Sequence, residues 1–333
     1  MRLSFMAFVK TVKGNVILTA TLRRDDNINI MKKIIGIIIL LIIVGIGFVF
    51  YKTSKTGNMS GQSHSNTIRV VAAENFYGDI AQQLGGSHIQ VLSILSDPNA
   101  DPHEYESSVK DAEAVSQAQI VIKNGEDYDT WMDKLLSASP NANRVVLTGA
   151  NIADHTLPDN PHVWYGPDNV KTIAGAITNA LKKADPADSA TFDSNLADFD
   201  NSLQPIQQKI ADINSKYNGT PVGLTETIYL YQTKPEGLNV LTPYNFEKAI
   251  AEGNDPSADD VAAANDQITK KQVKVLIYNE QTITPITTNL ENEAKQQNIP
   301  VVPVTETMPQ GKRYQDWMMD QLTTLENSLQ QTK

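Results

Sequence analysis

The sequence predicts an α/β protein of two lobes, each with a mostly parallel sheet of about four strands, joined by one long α-helix. Three observations lead there. Short apolar runs alternate with amphipathic helical stretches, the pattern of βαβ units. This alternation occurs in two separate blocks of the chain. Between the blocks, residues 188–218 carry a helical pattern with no strand signal.

In the first block, 68–73 (IRVVAA) reads as a buried strand, followed by the helical YGDIAQQLG. Strand-like runs then recur at 89–95, 119–124 and 144–149, with helical stretches SVKDAEAVSQA and YDTWMDKLLSAS between them. Residues 168–184 form a clear helix with an aspartate near its start. The second block places strands at 221–225, 237–243, 273–279 and 299–305, and a helix closes the chain. Pro205 sits inside the long helical run and is expected to kink it. The folded part therefore divides into an N-terminal lobe (68–186), a linking helix (187–218) and a C-terminal lobe (219–333).

Ahead of the lobes, two lysines precede an uncharged run from Ile34 to Tyr51. Its length lies at the lower edge of what spans a bilayer, and the preceding lysines favour the cytoplasm. Residues 31–52 are expected to act as a membrane signal anchor, or as a signal peptide if cleaved, leaving the rest on the extracytoplasmic face. Residues 53–67 form a polar Gly/Ser-rich tether. Met31-Lys32-Lys33 reads like a natural start, which makes residues 1–30 an extension of the gene model.

The composition excludes several classes. There is no cysteine, so disulfides, thiolate metal sites and cysteine nucleophiles are ruled out. Residues 1–52 hold eight basic and two acidic side chains, which leaves 20 basic against 36 acidic beyond them. A body this acidic does not suit nucleic acid, whose phosphates need a basic face. No His-Glu-x-x-His motif and no Gly-x-Ser-x-Gly elbow are present, and no enzyme is expected.

In open α/β sheets, ligands bind at the carboxyl ends of strands. The polar residues that follow strands are His103, His155, His162, Glu226, Glu280 and Glu306. Two of the chain's five histidines stand in matching Pro-His-x-aromatic settings, DPHEYE and NPHVWY. His103 and His162 from the first lobe, with Glu226 and Glu306 from the second, would meet across the cleft. Neutral imidazole and carboxylate suit zinc or manganese. The prolines stiffen the turns that present each imidazole. Tyr105 and Trp164, two residues beyond each histidine, could wall the site from water. Each residue also has a plainer reading: a surface histidine, a helix-capping Glu226, a solvated Glu306. His155 reads as loop surface that could hand metal inward, and His88 as a strand-edge residue.

The chain from about Thr67 onward resembles the metal-binding solute-binding proteins of bacterial manganese/zinc ABC transporters. DPNADPHEYE is similar to that family's Asp-Pro-His-x-Tyr-Glu segment, and NPHVWYGP to its Asp-Pro-His-x-Trp-Leu-Asp-Pro segment. LTETIYLY and VPVTETM are similar to the stretches that carry its third and fourth ligands. The resemblance implies His103, His162, Glu226 and Glu306 as ligands to one divalent ion, Mn²⁺ or Zn²⁺. It implies Glu280 as a neighbour near the cleft, and Glu106, three residues beyond His103, reads as a further neighbour of the ligands or as surface. Two carboxylates tilt the expectation toward manganese, although zinc binds nearly any such site more tightly. Asn160 and Gly166 replace the acidic residues usual beside the second histidine. The implied function is extracytoplasmic capture of the ion by a monomer and delivery to an ABC permease. The alternative is a surface adhesion or scaffold protein using the same metal-binding fold.

Overall fold

The computed structural model describes residues 67–97, 102 and 105–332, together with the backbone of two strands nearer the N-terminus. Those two, β1 (Ala7–Val12) and β2 (Asn15–Ala20), pair antiparallel with Val12 opposite Asn15. The hairpin falls within the first thirty residues. The anchor segment at 31–52, the tether as far as residue 66 and His103 lie outside the described residues. Among the described residues, no helix is long and apolar enough to cross a membrane.

The first lobe holds β3 (Ile68–Glu74), β4 (Ile89–Leu95), β5 (Ile120–Lys123) and β6 (Val145–Thr148), all parallel, in the order β4-β3-β5-β6. Helices α1 (Asn75–Gly85), α2 (Val109–Gln117), α3 (Thr130–Ala138), the short α4 (Gly149–Ile152) and α5 (Pro167–Ala184) accompany them. Local signals place their ends. Ser108 and Asp111 form a reciprocal capping box at the start of α2. Pro167 opens α5, where its missing N–H costs nothing, and Lys182 and Lys183 lie in its last turn.

The linking segment is not one continuous helix. It divides into α6 (Ser189–Ser202) and α7 (Gln204–Tyr217), with the break at Leu203. The cause is Pro205, which cannot donate a backbone hydrogen bond and crowds the preceding turn. The sequence anticipates a kink, and the structure places a one-residue turn there, with Leu203 still right-handed helical.

The second lobe holds β7 (Pro221–Leu224), β8 (Asn239–Val240), β9 (Val275–Asn279) and β10 (Val301–Val304), again parallel. Its helices are α8 (Leu230–Thr233), α9 (Tyr244–Ala251), α10 (Ala258–Thr269), α11 (Pro285–Gln296) and α12 (Tyr314–Gln330). The seven-residue run at 237–243 contributes only the two-residue edge strand β8. Sheet order is β10-β9-β7-β8. Read from the other edge, the second, first, third and fourth strands of this lobe lie side by side, as they do in the first lobe. The echo between the halves is thus a shared topology. It places a switch point between β3 and β5 in one lobe and between β7 and β9 in the other, where ligands are taken.

Each sheet buries both faces. In the first, Val71, Ala73 and Val121 pack outward with Val115, Trp131 and Met132. In the second, Leu276 packs with Phe246, Ile268 and Leu290. The opposite faces, carrying Val70, Ala72 and Ile122 in one lobe and Val222, Ile277 and Val304 in the other, join a single core with α5, α6, α7 and α12. That core is continuous through both lobes. At its centre Trp164 stacks on Phe76 at 4.5 Å between ring centroids, and both are fully buried. Truncating such a side chain typically costs about 3–5 kcal/mol.

The second lobe also buries an isolated acid. Glu236 is fully enclosed, and Tyr229 Oη donates to its Oε1 at 2.9 Å. Burial pushes its carboxyl up to about 8, against the smaller opposing effect of the tyrosine. A raised acid binds its proton in the folded state over a range where the unfolded chain has lost it. Its stabilising contribution is therefore full below the unfolded pKa and disappears as pH rises through about 8. Glu236→Gln is expected to flatten the decline in stability between pH 5 and 9, with a gain on the order of a few kcal/mol at the alkaline end. Chemical denaturation across that range measures it; identical pH profiles would show that Glu236 does not hold its proton.

Candidate metal centre

Strand ends from both lobes converge on one buried cluster. His162, Glu226 and Glu306 are 1%, 1% and 2% exposed. One donor atom from each lies within 4.8 Å of the others. His162 comes from the loop after β6, Glu226 two residues beyond β7 and Glu306 two residues beyond β10.

The histidine is oriented by a neighbour on its own loop. Its Nδ1 lies 2.9 Å from Asn160 Oδ1, which also accepts the His162 backbone N–H at 3.1 Å. An amide oxygen can only accept, so Nδ1 carries the proton and Nε2 keeps its lone pair for a ligand. Asn160, which stands where the resembled motif has an acidic residue, thus supplies the orienting contact. Its Nδ2 reaches across to donate to Thr227 O at 2.8 Å, beside Glu226. Next in sequence, Pro161 O accepts from Asn124 Nδ2 at 2.9 Å, at the end of β5. Segment 160–162 is thereby fastened to both lobes. Trp164 meets the imidazole edge-on at 5.3 Å, and the Tyr128 ring lies 4.9 Å from Trp164 and 6.0 Å from the imidazole.

Glu226 is both a cap and a cluster member. Its Oε2 accepts the Ile228 N–H at 2.8 Å and closes the 3₁₀ turn Thr227–Tyr229. Its Oε1 accepts from Asn279 Nδ2 at 3.0 Å. Glu306 Oε1 accepts from the same Asn279 nitrogen at 2.7 Å and from Thr282 Oγ1 at 3.1 Å. Its Oε2 accepts from Tyr128 Oη at 3.0 Å, a contact between lobes. Burial, and then the charge of Glu306, push the Glu226 carboxyl well above the usual range. Two carboxylates sharing a dry site repel each other, and a dication removes the conflict.

Tyr128 reaches this position from a constrained loop. Gly125, Glu126 and Asp127 all have positive φ, at 84°, 53° and 59°. The Asp129 carboxylate pins the loop by accepting the Asn124 and Gly125 N–H groups at 2.6 and 2.8 Å. A side chain at Gly125 would also bring its Cβ to 2.5 Å from Thr148 Cγ2.

Three expected neighbours lie elsewhere. Glu280 is exposed, because alternation along the chain turns Asn279 inward and the next residue out. Glu106 is exposed as well. Tyr105 packs on Trp131 at 4.8 Å in the outer core of the first lobe and donates to Asp111 Oδ2 at 2.9 Å, so it does not wall the cluster. His155 is an exposed residue lining a groove of about 850 Å³ with Gln207 and Lys234. The sequence reading missed Asn279, Tyr128 and Thr282. The strand-end rule applied to β5 and to the last residue of β9 would have found the first two.

An imidazole nitrogen and two carboxylates, enclosed and drawn from separate lobes of one topology, form a donor group suited to a divalent metal ion. Residues 70–328 match the family model of the zinc-uptake complex component A, periplasmic. The chain belongs to that family, whose members are binding components of transport systems and not enzymes. It is 26% identical over 257 residues to the metal ABC transporter substrate-binding lipoprotein ScbA of Streptococcus cristatus, covering 72% of this chain and 79% of that one. It is also 26% identical over 229 residues to the manganese ABC transporter substrate-binding lipoprotein PsaA of Streptococcus pneumoniae, covering 62% and 70%. In fold it is similar to the periplasmic zinc binding protein TroA of Treponema pallidum. The TM-score is 0.68 at 15% identity, over 79% of this chain and 99% of that one.

Asn160→Ala removes the acceptor that fixes the His162 tautomer and the bond to Thr227. Metal affinity is expected to fall about 10–100-fold, as for other residues that orient a ligand. Competition with a chromophoric chelator measures the change, and an unaltered affinity would mean that Asn160 does not set the imidazole.

Proposed function

We propose that this protein captures a zinc or manganese ion outside the cytoplasm and delivers it to an ABC permease for import. The observation that carries this reading is the buried grouping of His162, Glu226 and Glu306. Two enclosed acids side by side are a poor device for stability and a good one for a dication. His103 is the proposed fourth ligand. Its support is its place beyond β4 in a Pro-His setting and the neighbouring Pro102, buried with its carbonyl accepting from Trp131 Nε1 at 3.2 Å.

In this reading the metal displaces protons held by the carboxylates, and His162 binds through Nε2. Tyr128, Asn279, Thr282 and the Ile228 N–H hold the carboxylates before the ion arrives, which lowers the ordering cost of binding. The core shared by the lobes favours small adjustments over a wide hinge opening. The relatives ScbA and PsaA are called lipoproteins. This chain has no cysteine to acylate, so the apolar segment 34–51 takes the anchoring role here.

The test is calorimetric titration of the purified chain with Zn²⁺ and Mn²⁺. One equivalent should bind, and His162→Ala or Glu226→Gln should weaken binding at least about 100-fold with the fold intact. A proton on Glu226 competes with the ion, so apparent affinity should rise with pH while that carboxyl titrates, with proton release visible in buffers of different ionisation enthalpy. Unchanged affinity in both variants would reject the site.

A further inference from the structure

We infer that Tyr231, from the second lobe, is a positioning residue for His162 of the first, acting by closing the turn that carries Asn160. The inference rests on the metal-capture reading and adds a residue that sets ligand geometry from outside the cluster.

Residues 157–160 lie between α4 and α5 of the first lobe. Leu157 and Asn160 pair as an isolated antiparallel bridge, with Pro158 and Asp159 at the tip. Proline suits the first tip position because its φ is already set. Asp159 has φ 52°, a left-handed conformation that glycine or asparagine usually supplies in such turns. The tip residues alone are therefore a weak reason for this turn. All four residues are instead bonded to the second lobe. Leu157 N–H donates to Tyr231 Oη at 2.9 Å, and the same hydroxyl donates to Asn160 O at 3.0 Å. Tyr244 Oη donates to Pro158 O at 2.7 Å, and Lys248 Nζ pairs with Asp159 Oδ2 at 2.7 Å. Asn160 Nδ2 donates to Thr227 O at 2.8 Å.

These ties differ in weight. Tyr244 and Asp159 are exposed, so water competes for their contacts and salt screens the ion pair. Tyr231 is 8% exposed and Asn160 2%. There, losing a partner strands polar groups that water does not readily reach. The Tyr231 hydroxyl spends its one proton on Asn160 and a lone pair on Leu157, so it bridges both ends of the turn at once. Asn160 Oδ1 in turn meets the His162 backbone N–H and Nδ1. Tyr231 is thus joined to the imidazole through one intervening residue. Glu226, Thr227 and Tyr231 fall within six consecutive residues. The stretch that supplies one ligand therefore also fixes the residue that orients another, from the opposite lobe.

Two measurements on the full chain test this, using Tyr231→Phe, which keeps the ring and removes only the hydroxyl. The first is nitrogen NMR of isotopically labelled histidine in the metal-free protein, at a pH where imidazole is neutral. His162→Gln identifies the signal. Wild type should show one tautomer with the proton on Nδ1, and in Tyr231→Phe the two ring-nitrogen shifts should converge as tautomers mix. An unchanged ring would overturn the inference. The second is a double-mutant cycle on Zn²⁺ affinity. Tyr231→Phe should weaken binding about tenfold in the wild type. On the Asn160→Ala background the same change should cost less than about twofold, because the residue it acts through is gone. Additive losses would make Tyr231 a residue of the fold alone and overturn the inference. A wild type that binds no ion would reject the metal-capture reading, while the tautomer measurement, made without metal, still decides the role of Tyr231.

Discussion

Two acids buried side by side impose the central constraint on this molecule. Glu226 and Glu306 sit just beyond the ends of different strands and share one asparagine amide. Both are buried, so their mutual repulsion is little screened. Everything nearby answers that constraint. Asn279 donates to both, Tyr128 and Thr282 donate to Glu306, and the Ile228 N–H donates to Glu226. These contacts are neutral. They hold the acids in place but supply no countercharge, so burial and repulsion favour a proton on Glu226. A buried arginine would have satisfied the acids permanently and abolished the binding site.

The same constraint explains why the lobes share one core. A site assembled from separate strand ends is only as well defined as the bodies that carry it. Segment 160–162 belongs to the first lobe's chain, yet it is bonded to Asn124 on one side and to Thr227 on the other. Asn75 makes a reciprocal pair with the Met308 backbone, at 2.6 and 3.0 Å, two residues beyond Glu306. Tyr314 Oη donates to Trp164 O at 2.7 Å. These contacts sit on the continuous apolar core, which ties the donors of the two lobes to one packed body. Preorganisation of this kind is what a capture protein requires and what an enzyme lid would defeat.

Much of this was legible in the chain. The alternation of short apolar runs and amphipathic stretches gives both sheets, and Pro205 marks the interruption of the linking segment. The Pro-His-x-aromatic pair singles out His162, and the strand-end rule singles out Glu226 and Glu306. The misses share a cause. Glu280 and Asn279 are adjacent, and only the phase of the strand says which one points inward. Tyr105 and Trp164 occupy the same offset from a histidine, yet the chain after β4 turns to the outer core and the chain after β6 turns to the centre. Periodicity does not determine the direction in which a loop leaves its sheet.

The sequence alone determined the classes of element, their order, the two-lobed division and the residue types suited to a hard or borderline divalent ion. Those properties follow from local patterning, which each segment carries with it. The tertiary structure decided how the ligands are held. It made an asparagine, not an acid, the partner of His162, and a single amide the tie between two carboxylates 80 positions apart. It also brought a tyrosine from the opposite lobe to the second carboxylate. Such contacts depend on strand order and on the packing of one lobe against the other, and no spacing along the chain encodes them.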